Sequence, residues 1–187
     1  AHDLGWADVG AAVDQLVERD LLERDATRWS FRSDLVREVA YATLTKTARA
    51  YLHCGIAWFL EQTHPVPADA SDRAADVISH HYLTAAGPVA VLGPLEKLPD
   101  DLGSRAATWA AEAARRARVA DHPAMAAQLY GRALDVGVGD PLTSAELLRG
   151  RGEALVAGGD LAGGRAALEQ ALELVADGDA PTLWARI

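Results

Sequence analysis

Histidine, cysteine and lysine are the residues here that could carry chemistry, and their spacing limits what they can do. His80 and His81 are adjacent. A helix that presents zinc ligands places two histidines four residues apart on one face. An adjacent pair points two ways, so the expectation is no metal site, with one imidazole toward the core and one toward solvent. His53 directly precedes Cys54. Helical neighbours point about 100° apart, so these two do not form a nucleophile–base pair, and Cys54 reads as a buried structural thiol. Arg49 and His53 share a helix face and read as hydrogen-bonding groups between helices. Neither Lys46 nor Lys97 follows a glycine in the frame of a phosphate-cradling loop. No catalytic, cofactor-binding or metal-binding residue is therefore nominated, and an enzyme is not expected.

The bulk composition narrows the class. The 187 residues can bury a real core, and with half of them hydrophobic they suit a globular protein. The apolar share leans on Ala and Leu, which favour helix. A net charge of −9 argues against gripping phosphate backbones, so nucleic acid is not the expected partner. The lone cysteine allows no internal disulfide and suits a reducing, cytoplasmic setting. No run of about 18 apolar residues is present, so no membrane partner is expected. The chain starts without Met and stops within what reads as a helix begun by Pro181, as an excised part of something longer does.

The elements that must position these residues follow from periodicity. Val9, Val13, Leu16 and Val17 make one helical face over 7–18. Trp29 and Phe31 alternate with polar residues, and 21–32 reads as a β-hairpin. Ser33 or Asp34 then caps a helix whose apolar stripe is Leu35, Val36, Val39, Ala40 and Leu44. A helix over 48–62 ends at His64-Pro65-Val66-Pro67, and one over 69–86 is broken by Gly87-Pro88. The interval 89–101 reads as a loop with one helical turn. Helix pairs follow: 103–119 with 123–136, then 142–157 with 161–176. Their turns are Asp121-His122-Pro123 and Gly158-Gly159-Asp160.

These pairs nearly repeat at a step of 38. Ala110, Ala114, Ala117, Asp121, Ala126, Tyr130 and Ala133 are matched by Leu148, Gly152, Leu155, Gly159, Gly164, Leu168 and Ala171. Small residues fall where helices would cross, and the large Tyr130 and Leu168 fill the gap between neighbours. The pattern resembles the tetratricopeptide repeat. The first-helix aromatic and Leu-Gly pair of that repeat are degraded, to Ala113-Ala114 and Arg151-Gly152. The segment 72–86 would be a degraded earlier half. The plainer alternative is an Ala-rich helical bundle.

The first half carries a second resemblance. The string Trp29-Ser30-Phe31-Arg32-Ser33-Asp34-Leu35-Val36-Arg37-Glu38-Val39-Ala40-Tyr41 is followed by Arg49 and His53, Ile56-Ala57, Leu60-Glu61 and His80-His81-Tyr82. In that order they resemble the winged-helix and repeat region of actinobacterial signalling ATPases of the STAND class. Ser33 stands where that family carries a histidine. The resemblance implies a mainly α fold: a partial winged helix with one small β-hairpin, then a tetratricopeptide-like right-handed α-solenoid of antiparallel helix pairs. It divides the chain into 1–64 (partial winged helix and following helices), 65–101 (helix and irregular connector) and 102–187 (repeats, cut short at the C-terminus). It implies a non-catalytic interaction and coupling segment that relays partner or ligand binding to a nucleotide switch and a cyclase or transcriptional output. ATP and magnesium would bind upstream in the parent, with no cofactor in this segment. Partners would be other domains of the same chain or a protein or peptide.

Arg115, Arg118, Arg149 and Glu153 fall on first helices that would line the inner groove, a surface for an acidic peptide or a neighbouring domain. Solvated charge is the plainer reading of them. The alternative function is a winged-helix DNA-binding regulator with a helical effector domain. Against it, the helix over 7–18 offers Asp8, Asp14, Gln15 and Glu18 but no basic residue.

Overall fold

One helix, a two-stranded hairpin and then a train of helices appear in the computed structural model, which describes residues 6–26, 28–63, 72–137 and 140–176. The order is α1 (Trp6–Glu18), β1 (Leu22–Asp25), β2 (Arg28–Phe31), α2 (Asp34–Thr43), α3 (Lys46–Thr63), α4 (Asp72–Leu92), α5 (Leu102–Val119), α6 (Pro123–Asp135), α7 (Pro141–Ala157) and α8 (Leu161–Ala176). The expected helix starts at 69 and 181 and the 64–67 break lie outside the described residues. The chain divides into two compact units, one ending at Thr45 and one beginning at Lys46.

In the first unit α1 closes with Asp20 at φ 58°. The Asp20 amide donates to Val17 O at 3.0 Å and the Leu21 amide to Leu16 O at 3.0 Å. That left-handed turn feeds an antiparallel hairpin in which Leu22 pairs with Phe31 and Asp25 with Arg28. Leu22 is buried, and Trp29 stays exposed with the Arg24 guanidinium 5.8 Å from its ring centroid. Ser33 occupies the cap position of α2 without a side-chain cap bond. The expected apolar stripe of α2 is present but outward: Leu35 is 68% and Val39 56% exposed.

In the second unit each helix packs chiefly on its neighbours in sequence, from α3 on α4 to α7 on α8. Lesser contacts join α4 to α6 and α5 to α7. Alanine explains the closeness. Ala57, Ala75, Ala106, Ala110, Ala113, Ala114, Ala126 and Ala133 are fully buried, and Ile78, Tyr82 and Trp109 supply most of the bulk between them. No helix among the described residues is long and apolar enough to cross a membrane.

One expectation fails here. Gly87-Pro88 does not break the helix, and α4 runs on to Leu92 with Pro88 inside it. Proline denies the Thr84 carbonyl one amide donor. Ala85 and Ala86 are buried beside it and Val89 packs on the core, which offsets that loss. The helix stops instead at Gly93, with φ 84° and its amide on Val89 O at 2.9 Å.

The step of 38 survives in backbone detail. After α5 the amides of Ala120, Asp121 and His122 donate to the carbonyls of Arg116 (2.9 Å), Arg118 (3.1 Å) and Ala117 (2.8 Å). After α7 the amides of Gly158, Gly159 and Asp160 donate to Ala154 (2.9 Å), Val156 (3.0 Å) and Leu155 (2.9 Å). The left-handed residue is Asp121 (φ 60°) in one turn and Gly159 (φ 89°) in the other. The next helices start differently: Pro123 fills the first turn of α6, whereas Asp160 Oδ1 accepts from Gly163 N at 2.9 Å.

Tyr130 of α6 lies over Gly150 of α7, where a Cβ would stand 2.5 Å from its ring. Gly152 of α7 meets Gly164 of α8 in the same manner. Gly55 of α3, by contrast, faces open space. Gly55→Ala is therefore expected to raise stability by about 0.5–1 kcal/mol through helix propensity alone, read by urea unfolding.

Candidate functional site

Three of the four nominated groove residues come together. Glu153 of α7 accepts from Arg118 of α5 at 2.6 Å and also binds Arg149, one turn earlier on its own helix. The fourth, Arg115, pairs with Glu112 at 2.6 Å, and Arg116 holds the same carboxylate at 2.9 Å. Arg118, Arg149 and Glu153 thus form one cluster with two arginines to one glutamate, whereas Arg116, two residues before Arg118 on α5, points about 200° away around the helix. Arg149 is largely buried, and its Nε finds no acceptor among the described residues. Arg118 and Glu153 are about a third exposed, so solvent screens their attraction. Arg118→Ala is expected to cost under about 1 kcal/mol in unfolding, read by urea denaturation.

A second polar group lies between α3, α4 and α5. Glu61 Oε2 accepts from Tyr82 OH at 2.5 Å and from the Arg105 guanidinium at 2.8 Å; Oε1 accepts from Trp109 Nε1 at 3.0 Å. Arg105 Nε also reaches Asp101 at 2.8 Å. Burial pushes Glu61 up, but the bonds from Tyr82 and Trp109 and the charge of Arg105 outweigh it and hold the carboxyl below its usual range. Burial and the Glu61 acceptor together push the Tyr82 phenol up. Glu61 thus stays ionised and Tyr82 protonated near neutral pH, an arrangement that ties three helices and offers no group poised for proton transfer.

The third group is histidine. His53 Nδ1 of α3 lies 2.8 Å from His81 Nδ1 of α4, so one donates and the other accepts. His80 completes a cluster in which one ring nitrogen from each residue lies within 4.8 Å of the others. His53 is buried, His81 half-buried and His80 exposed. Burial, then the neighbouring His80 and Arg49, lowers the His53 pKa, and burial, then His53 and His80, lowers that of His81.

Because both folded values lie below the unfolded one, the unfolded chain takes up protons first as pH falls. Stability attributable to the pair is full above about pH 6.5 and drains below it. His81→Gln is expected to flatten the thermal midpoint between about pH 7 and pH 5, while wild type loses stability across that window.

Comparison of the chain with protein-family models, curated proteins and solved structures gave no match.

The residues that carried the sequence resemblance prove to be partners across helices: Glu61 with Tyr82, and His53 with His81. Sequence reasoning weighed His80-His81 within one helix and missed the third imidazole from α3. It also missed Glu112 and Arg116, whose spacing of four was the available signal.

Proposed function

We propose that this chain is a non-catalytic interaction and coupling segment of a multidomain signal-transduction ATPase. In this reading α1, the hairpin and α2 belong to a partial winged helix, and α5 to α8 are tetratricopeptide-like pairs of a right-handed solenoid. ATP and magnesium bind in another module of the same polypeptide. The observation that carries the reading is the pair of turns after α5 and α7, whose three hydrogen bonds and left-handed residue recur at a step of 38. Such repetition would stack first helices side by side, and the ion pair of Arg118 on α5 with Glu153 on α7 supports that reading. The excess of arginine suits an acidic peptide or an acidic face of a neighbouring domain.

The purified chain is expected neither to hydrolyse ATP nor to bind it tightly; turnover or tight binding contradicts the assignment. The DNA-binding alternative is opposed by Asp14 and Glu18, exposed on α1 without a basic neighbour on that helix. A gel shift across a salt series decides between the two readings. Sequence-specific, salt-sensitive binding would favour DNA.

A further inference from the structure

Three imidazoles from two helices, α3 and α4, meet with one ring nitrogen of each within 4.8 Å of the others. We propose that His53, His80 and His81 form a site for a divalent transition-metal ion of the zinc class. The ion ties α3 to α4 and keeps one position toward solvent. This goes beyond the coupling role and stands apart from it.

The rings already form the right triangle. Their centroids are 4.9 Å (His53 to His81), 5.4 Å (His80 to His81) and 5.9 Å (His53 to His80) apart. An ion bound at about 2.0–2.1 Å with tetrahedral angles sets three ring centroids about 5.2 Å apart and the ligating nitrogens about 3.3 Å apart. The His53 and His81 nitrogens, at 2.8 Å, need to open by about half an ångström. The widest pair, within 4.8 Å, must draw in by up to about 1.5 Å. His80, the exposed member, can make that movement by a rotamer change.

Adjacency of His80 and His81 is no obstacle once a third ligand comes from the facing helix. Their rings stand at 70° to each other and flank the His53 ring. An ion between His53 Nδ1 and His81 Nδ1 takes the place of the proton they share, which passes to Nε2 of its own ring by a tautomer shift.

The donor set selects the cation. Three imidazoles without a carboxylate suit zinc, cobalt, nickel or copper, not calcium or magnesium. Arg49, one turn before His53, is the charge that opposes the ion and limits affinity. The solvent-facing His80 leaves room for water in the fourth position, as in three-histidine sites that are open on one side.

The test is a cobalt titration of the full chain followed in the visible, with zinc as competitor. A single equivalent of cobalt is expected to give the absorption of a four- or five-coordinate ion, and zinc should abolish it and raise the thermal midpoint. His80→Ala and His80→Asn, checked for unchanged helical circular dichroism, are each expected to weaken binding by at least about tenfold. His122→Ala, on the exposed cap of α6, should bind as wild type does. Affinity should fall as the pH is lowered, because protons compete with the ion for the imidazole nitrogens. Absence of the cobalt band, or His80 variants that bind as tightly as wild type, overturns the proposal.

Discussion

Glu61→Ala is expected to lower unfolding stability by about 3–5 kcal/mol. The substitution removes the acceptor of three donors at once: Tyr82 OH, Trp109 Nε1 and the Arg105 guanidinium. Trp109 is 2% and Tyr82 1% exposed, so neither finds water in exchange. Arg105 keeps Asp101 and suffers least. Tyr82→Phe leaves Glu61 with two donors and is expected to cost only about 1 kcal/mol. Glu61 titrates below its usual range in the folded state, so its stabilisation is full above about pH 4.5 and is lost as pH falls through the folded value. Glu61→Gln should therefore unfold less steeply with acid than wild type. Urea denaturation across a pH series reads all three variants. A loss under about 1 kcal/mol for Glu61→Ala would mean the network adds little to holding α3, α4 and α5 together.

The same residue change is expected to act with opposite sign at two glycines. Gly164→Ala should lose about 2 kcal/mol although alanine is the better helix former. A Cβ there meets Val156 Cγ2 at 2.5 Å, Gly152 O at 2.9 Å and Val156 N at 3.2 Å. Two of those three atoms are backbone, so α7 and α8 must separate. At Gly55 nothing lies in the way, and the propensity gain stands alone. Thermal or urea midpoints of the two variants, measured side by side, check the sign. A stabilising Gly164→Ala would mean that α7 and α8 do not cross at Gly152 and Gly164.

Helix boundaries in the second half were legible because punctuation and periodicity agree there. Pro123, Pro141, Gly159 and Asp160 mark starts and stops, and α5 to α8 fall within a residue or so of the expected limits. The step of 38 held down to the turn hydrogen bonds because Asp121 and Gly159 both tolerate the left-handed conformation. Where a local rule was used alone, tertiary packing overrode it. Pro88 failed to break α4 because Ala85, Ala86 and Val89 bury around it. The polar clusters were hidden for another reason. His53 reaches His81 across 28 residues and Glu61 reaches Trp109 across 48, distances over which periodicity carries no information. Periodicity could nominate Arg118, Arg149 and Glu153, and only the packing of α5 beside α7 joined them.

In the proposed function these helix pairs serve a nucleotide-driven switch carried by the same polypeptide. Reading the coding sequence that flanks this chain tests it most directly. A glycine-rich phosphate loop ending in Gly-Lys-Ser or Gly-Lys-Thr, within a strand–loop–helix unit, is expected upstream and in frame. A reading frame without such a loop upstream would contradict it.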